Sequence, residues 1–212
     1  RLLYMYKNSV IKIEKNKNKY FLRVKNYLDN VFFINTFAEP ILSCKSELEK
    51  EIKIDLILSD IISLEDLMKE DKLTIEILEL LFVSLEQQLK ELEQTNHTIS
   101  NFSPKHIFLF KSKILNSLTK FIFLNIDDVY KLSDNTLVID KPFRIKKNMA
   151  PELKKVKKIP NRTITKTAAY WSLASLIESI LSKNIDIRST RLDWALKRCL
   201  IKEAEHRFLL LI

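Results

Sequence analysis

Along the first sixty residues, apolar positions fall in short β-branched and aromatic runs: Val10 to Ile13, Tyr20 to Val24, Val31 to Phe37 and Ile52 to Ile62. Such runs predict strands, and the polar Lys15-Asn16-Lys17-Asn18 predicts a hairpin turn between the first two. Pro40 and the charged stretch Lys45 to Lys53 interrupt the series. The period then becomes helical. Ser63 and Asp66 have capping-box-like spacing and open a short helix. Thr74 opens a longer one, to about Gln94, in which Ile75, Leu78, Leu81, Phe82, Leu85, Leu89 and Leu92 share a stripe. Glu76, Glu79, Glu86, Lys90 and Glu93 fall on its opposite, solvent-facing side. The stripe lasts only about three heptads, which predicts a core face and not a coiled coil.

Further along, Phe108 to Phe110, Phe121 to Ile126 and Thr136 to Ile139 predict short strands, and Lys113 to Leu118 a helical turn. From Thr165 the pattern is helical again. Ala168, Trp171, Leu173, Leu176 and Ile180 leave little polar surface, so this helix is expected to be central and buried. Leu192 to Ala204 and Glu205 to Ile212 predict terminal helices. The fold class is α+β: a β-rich region at 1–62 followed by a mainly helical region at 63–212.

Composition narrows the function. The 212 residues fit one domain or one large lobe with a small one attached, and 46% hydrophobic content supplies a substantial core. A domain of this size buries roughly 70% of its unfolded-chain surface. Cys44 and Cys199 lie far apart without metal-like spacing, as expected of reduced thiols in an intracellular protein, cytoplasmic or nuclear. No apolar run approaches the ~20 residues needed to span a bilayer. The chain begins at Arg1 with no signal-peptide pattern, as expected of an excised or partial segment.

Glycine is absent altogether, against an average usage of about 7%; the Lys, Asn and Ile richness suits an AT-rich genome. Without glycine, neither a P-loop, a Rossmann fingerprint nor a kinase glycine-rich loop can be written. The net charge of +9 suits nucleic-acid or membrane contact but also arises from lysine-biased composition alone. His97, His106 and His206 are scattered, and no Ser or Cys lies in a nucleophile motif.

Three fragments carry a family resemblance through their order. Met149-Ala150-Pro151-Glu152-Leu153, Tyr170-Trp171-Ser172-Leu173-Ala174, and Cys199-Leu200-Ile201-Lys202-Glu203-Ala204-Glu205-His206-Arg207 resemble three structural landmarks of the protein-kinase C-lobe. Ile57 to Ile62 is similar to the last N-lobe strand and hinge, Ser63 to Lys69 to the short helix after it, and Leu73 to Asn96 to the long scaffold helix. Ile99-Ser100-Asn101-Phe102-Ser103-Pro104-Lys105-His106-Ile107 resembles the catalytic loop His-Arg-Asp-Leu-Lys-Pro-Glu-Asn-Ile.

On that match Asn101 replaces the catalytic Asp, Ser103 the phosphate-neutralising Lys and His106 the metal-binding Asn; only Pro104 and Ile107 are retained. An amide cannot take a substrate proton as a carboxylate does, and serine supplies no cation. In the first region, Arg23 stands where the ATP-binding Lys would be, and the two are not interchangeable. The Asp-Phe-Gly motif has two candidate positions, Ile126 to Val129 and Ile139 to Pro142. Asp127 or Asp140 is then either a metal ligand or a solvated loop carboxylate. An alternative register puts Asn125 to Tyr130 in the catalytic loop.

The resemblance implies a Glu152–Arg207 salt bridge, a core role for Trp171, and Ala169 in place of the Asp that anchors the catalytic loop. A loop without catalysis is expected to need no such anchor. Together these matches imply a kinase-like fold with a reduced β-rich N-lobe and hinge at 1–62 and a helical C-lobe at 63–212, inactive, without a cofactor. A similar reduction occurs in kinase non-catalytic C-lobe domains, which bind proteins. The expected partner is a protein, and Arg144, Lys146, Lys147, Lys154, Lys155, Lys157 and Lys158 are either its contact surface or a solvated loop. Two other functions stay open: a basic nucleic-acid-binding α+β module, and a divergent active kinase using Asp127 or Asp140 as metal ligand.

Overall fold

The structure is a computed structural model, and it describes residues 3–4, 11–16, 19–24, 42–44, 51–54, 58–112, 119–181 and 185–209, with side chains from residue 60 on except at 112 and 126. The protein is mixed α+β. Strands β1 (Leu3–Tyr4), β2 (Ile11–Asn16), β3 (Lys19–Val24), β4 (Leu42–Cys44) and β5 (Glu51–Ile54) form an antiparallel sheet in the order β1-β2-β3-β5-β4. The β2–β3 register closes on Asn16 opposite Lys19, where the polar run predicts the hairpin turn. The runs at 31–37 and 113–118 lie outside the described residues.

The apolar run from Ile52 to Ile62 is not one strand. Its first part belongs to β5, paired with β3, whereas β6 (Leu58–Ser63) pairs antiparallel with β8 (Ile107–Ser112) in a different sheet. Nor does the charged stretch simply interrupt the strands. Glu51-Ile52-Lys53-Ile54 alternates with the period of two that a strand requires, and β5 is built from it.

The first two helices and the turns after them follow capping chemistry. Helix α1 (Leu64–Lys69) begins where Ser63 Oγ accepts from the Asp66 amide at 3.1 Å. Helix α2 (Ile75–Gln94) begins where Thr74 Oγ1 accepts from the Ile77 amide at 3.3 Å. With no glycine in the chain, left-handed positions fall to short polar residues. Asn96 (φ 56°) follows α2, and Asp134 (φ 49°) with Asn135 (φ 63°) turns the hairpin between β10 (Val129–Ser133) and β11 (Thr136–Leu137).

Helix α2 is buried on more sides than its sequence stripe predicts. Leu78, Leu81, Phe82, Leu85, Leu89 and Leu92 are buried, but Ile75 is only half-buried. Ser84 Oγ accepts from the Phe121 amide at 3.1 Å, and Gln88 bonds both the amide and the carbonyl of Phe123 in β9 (Lys120–Phe123). Glu86, expected to face solvent, is 0% exposed and held by Lys90. Glu93 accepts from Lys166 (2.7 Å) and from the Tyr170 hydroxyl (2.8 Å). Part of the polar face is therefore packed against protein, since β9 and the helix α4 (Ala168–Ile180) both press on α2, while Glu76 stays exposed.

Strands β6, β8 and β9 form a three-stranded antiparallel sheet, and β7 (His97–Ile99), β10 and β11 form another in the order β11-β10-β7. Helix α3 (Pro151–Lys154) precedes α4, whose Ala168, Ala169, Leu173, Ala174, Leu176 and Ile177 are fully buried. Trp171 sits at the core's edge: it is half-buried and packed against a second apolar cluster, with the Arg207 guanidinium 4.8 Å from its ring centre. That cluster consists of Leu137, Ile139, Met149, Ala150, Leu153, Ile164 and Ala168.

The C-terminal end is less helical than predicted. Helix α5 (Arg191–Cys199) stops at Cys199, Ala204–His206 is a single 3₁₀ turn, and Arg207 is extended. Arg207 Nε donates to the Ile201 carbonyl at 2.6 Å, and Cys199 Sγ donates to the Phe208 carbonyl at 3.7 Å. These side-chain bonds hold the chain folded back over α5 in place of a continuing helix. Among the described residues no helix is long and apolar enough to cross a membrane.

Candidate functional site

The segment after β7 has the sequence Ser100-Asn101-Phe102-Ser103-Pro104-Lys105-His106. Proline starts a 3₁₀ turn at Pro104–His106, and β8 follows. The loop is fastened at several points. Ser100 N–H donates to the Asp128 carbonyl (2.8 Å), Phe102 N–H to Ser172 Oγ (2.8 Å), and Asn148 Nδ2 to the Phe102 carbonyl (2.9 Å). The Phe102 ring is fully buried, edge-on to Phe123 at 5.2 Å. The loop is thus anchored after all. Ala169 is too short to do it, but Ser172, on the same buried helix, reaches the loop backbone.

Beside this loop lies an open cleft of about 730 Å³. Asn101, Asn125 and Asn148 form its buried polar lining, Met68 and Ile180 an apolar part, and Lys105, Arg144, Lys146 and Lys147 its cationic part. Glu65 and Asp127 also border it. Asn101 is 2% exposed, and its Oδ1 has no hydrogen-bond partner in the protein.

Two titratable groups, His106 in the cleft and Asp128 beside it, are shifted by their surroundings. Burial pushes His106 down to about 3, with the positive Lys105 and Lys146 adding to the effect, so its ring is neutral across the physiological range. Asp128 is 2% exposed, and burial raises its pKa. Lys146, in contact with Oδ1, and Asn125 Nδ2, 2.7 Å from Oδ2, work against that rise. Both carboxylate oxygens of Asp128 are therefore already engaged by protein donors.

The sequence-derived candidates separate in space. Asn101, Ser103 and His106 all line the cleft, and Asp127 is exposed at its edge. Asp140 does not reach it. It borders a neighbouring cavity of about 520 Å³ that Asp127 also lines, and it lies 3.9 Å from Arg162. Arg23 is on β3, and its side chain lies outside the described residues. Among the described residues no three His, Cys, Asp or Glu side chains converge as a metal site would require.

The basic segment divides likewise. Arg144, Lys146 and Lys147 line the cleft, while Lys154 Nζ donates to the Lys147 carbonyl at 2.8 Å. Lys155, Lys157 and Lys158 are exposed and do not line it. Further along, Arg207 Nη1 contacts Glu152 Oε1, and Arg207 Nη2 donates to Glu152 Oε2 at 3.1 Å and to the Lys202 carbonyl at 2.9 Å.

Sequence reasoning gave no role to Lys105, Asn148 and Ser172, and reached Asn125 and Asp128 only within the candidate segments at 125–130. Ser172 was visible inside the Trp-Ser fragment but carried no role there. Asp128 had the available signal of an acid pair next to an apolar strand, and nothing in the pattern told it from Asp127. The completed site sets Lys105, Arg144, Lys146 and Lys147 around a neutral imidazole, with Glu65 and Asp127 also at its border, and its cationic side is suited to hold an anionic group. No protein-family model matches the sequence, and no curated protein matches it.

Proposed function

We propose that the protein is a catalytically inactive, protein-kinase-like domain that binds a protein partner through its basic cleft, inside the cell. One observation carries the reading. The three fragments that resemble kinase C-lobe landmarks, far apart in the chain, meet at one side chain: Arg207 pairs with Glu152 and covers Trp171. Fragments matched by chance have no reason to converge.

The order of elements supports the same reading: strands, a short helix, a long helix, a fastened loop, paired strands, a buried helix and terminal helical pieces. Inactivity rests on chemistry. Asn101 and Ser103 cannot supply a base and a phosphate-neutralising cation, and Asp128 is committed to Lys146 and Asn125.

The test is a thermal-shift titration with ATP, with and without Mg²⁺ or Mn²⁺. A nucleotide that binds and saturates at about 100 times Kd adds ~2.7 kcal/mol, or several degrees. The expected result is no shift. A metal-dependent shift abolished by Asp127→Asn or Asp140→Asn would overturn the reading in favour of a divergent kinase.

A further inference from the structure

We propose that the cleft beside the Asn101–His106 loop is a docking site for an acidic segment of the partner protein, whose Asp or Glu side chains enter between Lys105, Arg144 and Lys147. The proposal rests on the interaction-domain reading above and names the chemistry of the partner.

Charge supplies the first argument. Lys105, Arg144 and Lys147 are exposed, border one cleft, and form no salt bridge among the described residues. Lys146, their neighbour, is the contrast: its charge is answered internally by buried Asp128. Two chain segments distant in sequence thus bring unanswered cations to one concavity. Such an arrangement favours a ligand with matching negative charge.

A second observation is independent of surface charge. Asn101 lines the cleft, is almost wholly buried, and has an Oδ1 with no partner in the protein. A buried amide left unsatisfied is costly, and a peptide N–H from a bound segment satisfies it. A peptide carries such donors along its backbone together with acidic side chains, whereas inorganic phosphate carries few.

Size and lining point the same way. About 730 Å³ is within the range that takes a drug-sized ligand or several side chains, and exceeds what one phosphate fills. Met68 and Ile180 offer apolar surface to the aliphatic stems of Glu. The lining has no exposed aromatic ring on which a base could stack, since Phe102 and His106 are buried.

The experiment measures fluorescence anisotropy of a labelled peptide of about twelve alternating Glu and Ala residues, at low and at physiological salt. A Gln/Ala peptide and a single-stranded oligouridylate are the comparison probes. Two variants are compared with the parent: Lys105→Glu with Arg144→Glu in the cleft, and Lys157→Glu with Lys158→Glu outside it. All four positions are exposed, so both variants should fold, which circular dichroism checks.

The expected result is binding of the Glu/Ala peptide alone, weakened roughly tenfold or more by the cleft variant and little by the other. Asn101→Leu, which removes the buried amide, should weaken it too. Equal losses in both charge variants would mean diffuse attraction and overturn the proposal. Tighter binding of the oligouridylate would overturn it in favour of nucleic acid. Failure of the peptide with no ATP-dependent thermal shift would sink this proposal alone; a metal-dependent ATP shift would sink the interaction-domain reading itself.

Discussion

The cations of this protein are used in two opposite ways. At Arg207, the guanidinium is buried, covers Trp171, and spends its donors on Glu152 and on the carbonyls of Ile201 and Lys202. At the cleft, Lys105, Arg144 and Lys147 stand in the open with no salt bridge among the described residues. A buried cation must be answered in full by its own protein, because desolvation is too costly otherwise. An exposed one need not be, and remains available to something else. Position in the fold, not residue type, separates a fastening from a contact surface.

The largest expected effect tests the fastening. Arg207→Ala leaves Glu152 and two carbonyls without their partner and should cost about 3–5 kcal/mol in denaturant unfolding. A double-mutant cycle with Glu152→Gln should show strong coupling; independent effects would break the comparison at its first term.

Next comes His106, buried beside the cleft. Its folded pKa, near 3, lies below the ordinary value of 6.5. The unfolded chain therefore binds the extra proton in between, so the contribution is present in full above pH 6.5 and is lost as pH falls toward 3. The loss should be on the order of 3 kcal/mol, and His106→Gln should flatten it. Asp128, raised by burial, has the opposite slope, so the pH series is cleanest in an Asp128→Asn background. A pH profile unchanged by His106→Gln would show that the imidazole is not the acid-sensitive group.

A smaller effect is expected at the loop anchor. Ser172→Ala removes the acceptor of a buried amide, that of Phe102, and should cost about 1–2 kcal/mol while loosening the cleft floor. Hydrogen exchange at Phe102 reads this directly: an amide as protected in the variant as in the parent would mean the anchor lies elsewhere. The smallest effect belongs to the open cations. Lys105→Glu with Arg144→Glu should change stability by no more than about 0.5 kcal/mol. A large destabilisation would show that they are fastenings too, and would remove the contrast.

Much of the scaffold was legible locally. Ser63 and Thr74 start the helices that their side chains cap, and the leucine stripe of α2 is buried along most of its length. Local patterns misled where a distant element decided the outcome. Glu86 has a helical position that reads as solvent-facing, but β9 and α4 leave α2 little free surface. The terminal helix predicted from Glu205 fails because Arg207 bonds backward to Ile201 and Lys202. At the site, Asn101, Ser103 and His106 were found as a contiguous run. Asn148 and Ser172 were not, since each bonds the Phe102 backbone from far away in the chain.

The sequence by itself determined the α+β character, the starts of the helices and the exclusion of glycine-dependent phosphate loops, because these follow from neighbouring residues and from which residue types are present. Only the tertiary structure decided which of two adjacent acids, Asp127 or Asp128, is buried. It also decided which serine holds the loop, and which lysines find a carboxylate. Burial and pairing are properties of segments brought together from across the chain, and a desolvated charge or amide is stable only where some remote residue answers it.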